Sequence, residues 1–86
     1  MKHLAIEKSN KLKPYSRSLL ELSIIESFRG VELDHQLIDT LTDTLEIRLL
    51  SLSQSTIAAS TVSEAVLKTL KPINKRAYLH YLADRS

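Results

Sequence analysis

Cysteine is absent from this sequence of 86 residues. Disulfides, thiolate metal sites and a cysteine nucleophile are therefore excluded. Glycine occurs once, at Gly30. One glycine cannot build a glycine-rich phosphate loop, nor the flanked turn of a serine nucleophile elbow. Tryptophan is missing, and the aromatic set is Tyr15, Phe28, Tyr78 and Tyr81. No apolar run approaches the ~18 residues of a membrane span. The opening "MKHLAIEKSN" is short and charged, unlike a secretory signal. These absences point to a protein of the cytoplasm without a membrane partner.

Chemistry-bearing clusters are scarce as well. His3, His35 and His80 are widely separated and lack metal-ligand spacing. Asp39, Asp43 and Glu46 recur at helical spacing and read as one solvated helix face. No arrangement of Ser, His and Asp suggests a catalytic centre. The expectation is a chain that is not an enzyme.

What is present is the material of one small domain spanning 1–86. Apolar residues make up 43% and charged residues 26% of the chain, a globular balance. A chain of this length buries roughly 60–65% of its unfolded surface, which gives one modest core. The net charge of +2 conceals a pattern. Residues 1–17 hold five cations against Glu7, residues 18–64 hold eight acids against Arg29 and Arg48, and residues 65–86 hold five cations against Asp84. Basic ends brought together by the fold would attract phosphates. The acidic middle argues against a continuous basic stripe for nucleic acid.

Short alternating stretches begin the chain. "HLAIE" (3–7) puts Leu4 and Ile6 on one face, and "KLKPY" (11–15) is expected to do the same with Leu12. Ser9-Asn10 between them suits a two-residue turn, because Asn tolerates the left-handed backbone. Pro14 has no N–H and places its strand at an edge. Ser16 is an N-cap candidate for a helix over 17–28, with Leu20, Ile24 and Phe28 as its stripe and Leu22 and Ile25 beside it. Gly30 permits the turn that follows. Asp34 caps a helix over 35–52 that carries Leu37, Ile38, Leu41, Leu45, Leu49 and Leu52 at spacings of three and four.

"SLSQSTIAAS" (51–60) breaks that periodicity. Its "TIA" can form a third short strand with Ile57 inward. Thr61 and Glu64 have capping-box spacing, which predicts a helix over 61–70 burying Val62, Ala65, Val66, Thr69 and Leu70. Pro72 ends it. Asn74 then caps a last helix over 75–84 that buries Ala77, Tyr78, Tyr81 and Leu82. The expected order is β-β-α-α-β-α-α: an α+β fold in which an N-terminal hairpin and a short third strand cover a four-helix bundle.

The stretch "IEKSNKLKPYSRSLL" (6–20) resembles the opening of the ATP-cone domain. That module occurs in ribonucleotide reductases and in the repressor family that controls reductase genes. "TIAASTVSEAVLKTL" and "PINKRAYLHYLA" are similar to the family's third strand and helix and to its last helix. The resemblance covers nearly the whole chain. It implies a regulatory module that binds ATP or dATP, with or without Mg²⁺, and answers through its oligomeric state. It also implies that the partner is a homo-oligomer or a larger regulated protein, and that this chain makes no direct DNA contact. The positions matching the family's nucleotide site are Ile6, Lys8, Lys13, Ser16, Arg17, Leu20 and Ser63.

Departures from the family pattern fall on charged positions. The strand Lys-Arg pair reads Glu7-Lys8, the Asp-Gly turn reads Ser9-Asn10, a frequent Glu of the second strand is Lys13, and the first-helix lysine is Leu19. The Thr and His near the third helix's start are Ala59 and Ser63. Two lost charge-assisted contacts weaken binding by about 10²–10⁴-fold. Several retained positions also have purely structural readings. Ser16 is an N-cap, Ile6 and Leu20 are core-facing, and Lys8 and Lys13 guard a strand edge against pairing with other chains. A cone that has lost its nucleotide and serves as an interaction or oligomerisation domain is the second reading.

Overall fold

A computed structural model describes residues 4–52 and 55–84. Two strands open the chain, β1 (Ala5–Lys8) and β2 (Lys11–Pro14). Ser9 and Asn10 take φ of 53° and 64°, the paired left-handed conformation of a tight hairpin turn. The hairpin pairs Lys8 with Lys11, Glu7 with Leu12 and Ile6 with Lys13. The Tyr15 N–H donates to the Leu4 carbonyl at 2.8 Å and closes its open end. His3, the first residue of the expected strand, lies outside the described residues.

That register corrects the expected placement of Leu12. Residues opposite one another share a face, and faces alternate along a strand. Lys8, Lys11 and Lys13 therefore join Ile6 on one face, while Leu12 joins Glu7 on the other and is 61% exposed. A two-residue loop forces this pairing, whatever the hydropathy of β2.

The third strand, β3 (Thr56–Ala58), runs parallel to β1, and the sheet order is β2-β1-β3. β1 is thus central, and Pro14 sits on an edge strand as its missing N–H requires. Parallel neighbours need a long crossover. Two helices supply it, α1 (Arg17–Ser27) and α2 (His35–Ser51). The chain ends in α3 (Ala59–Leu70) and α4 (Lys75–Asp84). The β-β-α-α-β-α-α order and α+β class expected from sequence are what the chain adopts.

Three helix starts follow the expected caps. Ser16 Oγ accepts from Leu19 N–H at 3.3 Å, Asp34 Oδ1 from Gln36 N–H at 3.0 Å, and Asn74 Oδ1 from Ala77 N–H at 3.0 Å. α3 departs from expectation. It begins at Ala59, two residues before Thr61, and its cap residue Ala58 makes no side-chain hydrogen bond. Pairing of Ala58 with Glu7 holds the chain extended through residue 58, and the helix starts at once. Thr61 then falls inside the first turn, where it cannot cap.

The helices form a ring: α1 contacts α2 and α4, and α3 contacts the same two. Leu20, Ile24, Phe28, Leu41, Leu45, Val66, Leu70 and Ala77 fill its centre. β1 and β3 rest on α3, and Ile57 is buried with 1% exposure. Leu22, Ile25, Leu52 and Leu82 lie outside this core and are exposed. Buried Ser27, Thr42 and Thr69 donate to carbonyls four residues back, so their hydroxyls carry no unpaired polar cost. Gly30 takes φ of 75° in open space. Backbone conformation, rather than crowding, demands glycine there.

Candidate functional site

The lysine-bearing face of the hairpin does not lie flat on the helices. A cleft of about 220 Å³ opens between them. Ile6, Lys8, Lys13 and Pro14 form its roof, and Tyr15, Ser16, Leu19, Leu20 and Ser23 its floor along α1. Ala59, Val62 and Tyr81 close the far side. A second, shallower depression of about 470 Å³ adjoins it, sharing Lys8 and Ala59 and adding Glu7, Ser9, Ala58, Ser60, Ser63 and Asp84. The start of α3 faces this depression with N–H groups that no side chain caps. Such groups carry partial positive charge and suit anions.

Ile6, Lys8, Lys13, Ser16 and Leu20 therefore come together around one cleft. Ser63 stands in the neighbouring depression, where its Oγ lies 3.4 Å from the Tyr81 hydroxyl. Arg17 is placed elsewhere. Its Nε meets Glu21 Oε1 at 3.0 Å, Nη2 meets Asp43 Oδ1 at 2.8 Å, and Nη1 meets Glu46. Two carboxylates of α2, with Glu21 of its own helix beside them, thus hold its charge. Hydrogen bonding to Asp43 is the largest influence raising the Arg17 pKa above its ordinary value, with Glu46 adding to it.

Tyr15 links the cleft to that cluster. Its ring borders the cleft, and its hydroxyl donates to Glu46 Oε2 at 2.7 Å. Burial first, and the Glu46 acceptor second, push its pKa well above the ordinary 10.0. At the other end of α1, Arg29 meets both carboxylate oxygens of Asp84, at 2.7 and 3.2 Å. His80 Nδ1 lies 3.0 Å from the Ser27 carbonyl. A carbonyl only accepts, so that nitrogen carries the proton.

Sequence reasoning missed Pro14, Tyr15, Ser23, Val62 and Tyr81 as cleft residues, whereas Leu19 and Ala59 stand at positions it assigned to the family's nucleotide site. Ser23 was within reach, because with Ser16, Leu19 and Leu20 it shares one helix face at spacings of three and four. Tyr81 was not, since only the packing of α4 on α1 brings it there. Among the described residues no group of His, Asp and Glu side chains is arranged to hold a metal ion, and no helix is long and apolar enough to cross a membrane.

With Lys8 and Lys13 bordering its roof and almost wholly apolar walls, the cleft suits an apolar or planar body, and the two lysines offer positive charge beside it. No protein-family model matches the chain. Over 76 residues it is 29% identical to the transcriptional repressor NrdR of Prochlorococcus marinus (strain MIT 9211), a match covering 88% of this chain and 48% of that protein. It is 28% identical over 76 residues to the NrdR of Phenylobacterium zucineum (strain HLK1), covering 88% and 49%. The chain spans about half the length of the curated relatives it matches.

Proposed function

We propose that this chain is a small non-catalytic regulatory module of ATP-cone type, which binds ATP or dATP beneath its hairpin and couples that binding to oligomeric state. The carrying observation is the orientation of the hairpin. Lys8 and Lys13 face the cleft while Leu12 faces solvent. The two-residue turn fixes that orientation, and its consequence is two cations bordering the cleft, where a phosphate chain can reach them. The apolar floor would take the ring, and the phosphates would run from Lys13 and Lys8 towards the uncapped start of α3.

The ATP-cone resemblance and the match to NrdR repressors point the same way. In this reading the module works in the cytoplasm, with nucleotide and a second copy or a larger regulated protein as partners. DNA contact is left to segments other than these residues. Arg17 contributes indirectly, by fixing the start of α1, rather than by touching phosphate.

Thermal denaturation with ATP, dATP, ADP and GTP, with and without Mg²⁺, tests the reading. Ligand at a hundred times its Kd adds about 2.7 kcal/mol. At ~4–8 °C per kcal/mol for so small a domain, Tm should rise by more than about 10 °C. Lys8→Ala and Lys13→Ala should each shrink the rise. No shift at millimolar nucleotide would leave the second reading, an interaction module without nucleotide. The exposure of Leu22, Ile25, Ile47 and Leu50 along α1 and α2 favours that alternative. Light scattering that shows self-association unchanged by nucleotide would support it.

A further inference from the structure

The turn between α3 and α4 carries charges that its local structure does not favour. Lys71, Lys75 and Arg76 are exposed there around Ile73, which is itself 49% exposed. Lys75 and Arg76 are the first two residues of α4, and that first turn holds no acid. A helix start carries partial positive charge, so cations are destabilising there and acids would serve the helix better. Lys71 Nζ stands 6.0 Å from the centroid of the Tyr78 ring, and Tyr78 follows Lys75 by one turn on the same side of α4. Lys71 and Lys75 thus share one corner, with Arg76 beside them, and the three cations repel one another. Among the described residues none of the three meets a carboxylate.

α2 presents the opposite arrangement. Asp39 and Asp43 recur one turn apart on its exposed side, and Ile47 follows one turn later with 68% exposure. Leu50, also exposed, stands beside Ile47 at a spacing of three. Around Asp43 the single guanidinium of Arg17 is shared with Glu21 and Glu46, so this face keeps a net negative charge. We propose that copies of this chain associate by laying the basic α3–α4 corner of one on the acidic face of α2 of the next, with Ile73 set against Ile47 and Leu50. This rests on the oligomeric part of the reading above and names its surfaces, and it does not require nucleotide. Opposite charges steer the two surfaces together and fix which of them meet. The exposed apolar side chains supply a centre and the charges a polar rim, as protein contacts require. A second copy suits the corner because the chain itself carries the matching acids. The two surfaces differ, so the contact is head-to-tail, or is made twice where two copies exchange it about a two-fold axis.

Sedimentation velocity of the full chain over a concentration series, with and without ATP, tests this. Association should weaken by about tenfold or more between about 0.05 M and about 0.5 M salt, as the Debye length shortens. Lys75→Glu/Arg76→Glu and Asp39→Lys/Asp43→Lys should each associate at least about tenfold more weakly than the native chain, because each sets like charges together. An equal mixture of the two variants should restore association, since every contact between them pairs opposite charges. The first variant also places acids at the start of α4, so its urea midpoint should rise while its association falls, which separates lost contact from lost folding. Native association that salt and charge reversal leave unchanged would overturn the proposal, as would a mixture of two folded variants that stays monomeric. A native chain monomeric at millimolar concentration, with and without ATP, would overturn it and leave nucleotide binding standing. Binding of a DNA duplex by that monomer, lost in Lys75→Glu/Arg76→Glu, would then assign the corner to a phosphate backbone. Charge-dependent association in a chain whose Tm ignores nucleotide would uphold the contact and remove the nucleotide reading.

Discussion

Arg17 carries a guanidinium that charge alone would aim at a phosphate. The fold surrounds it with Glu21, Asp43 and Glu46, and a cation already shared by three carboxylates has little field left for a ligand. One of those carboxylates also receives the Tyr15 hydroxyl. Tyr15 makes a prediction at this scale. Its proton is held more tightly in the folded chain than in the unfolded one, by burial and then by Glu46. Its contribution is complete below the ordinary value of 10.0 and is lost as pH rises towards the higher folded value. The urea midpoint of the native chain should therefore fall more steeply between about pH 9 and 11 than that of Tyr15→Phe. Parallel slopes would mean that Tyr15 titrates as it does in the unfolded chain. The Arg17–Glu21 pair, four residues apart on one helix, was legible in the sequence, but the meeting with Asp43 and Glu46 was not, because only the packing of α2 on α1 brings them together.

Among the elements, the hairpin shows that turn length can outrank hydropathy. A period-two reading of β2 puts Leu12 inward, whereas the two-residue turn pairs Ile6 with Lys13. Counting outward from Ser9-Asn10 would have predicted that register from sequence alone. α3 is the reverse case. Its start was misplaced by two residues because Thr61 and Glu64 imitate a capping box, and only the strand pairing of Ala58 shows where extension ends. The uncapped position is also testable. Ala58 already has extended dihedrals, φ −65° and ψ 143°, so Ala58→Asp can cap α3 without rearrangement. It should add about 1 kcal/mol to the free energy of unfolding in a denaturant titration. It should also weaken ATP binding, by placing an anion at the helix start. A gain in stability with unchanged ATP affinity would remove the start of α3 from the site.

The whole molecule is small enough that its central contacts are costly to lose. At roughly 0.05–0.15 kcal/mol per residue, a chain of this length is stable by about 4–13 kcal/mol. Ile24 sits fully buried on α1, at the centre of the helix ring. Ile24→Ala should cost about 2–5 kcal/mol, a large share of that total, read as a lowered urea midpoint. A loss below about 0.5 kcal/mol would mean the ring repacks freely around the gap. The Arg29–Asp84 pair is exposed and contributes little at this scale. What holds α4 beside α1 is chiefly the apolar packing around Ala77 and Tyr81. That packing also sets one wall of the cleft.

By itself the sequence determined the elements, their order and most of their ends. Caps, turn residues and apolar spacing act within a few residues, and the information for each is local. It also supplied the basic hairpin and the helix face that share the cleft. Tertiary structure alone decided that Arg17 is neutralised by α2 and that the hairpin's lysine face lies over a cleft walled by α1, α3 and α4. Those outcomes depend on the approach of helices far apart in the chain, which no local pattern encodes.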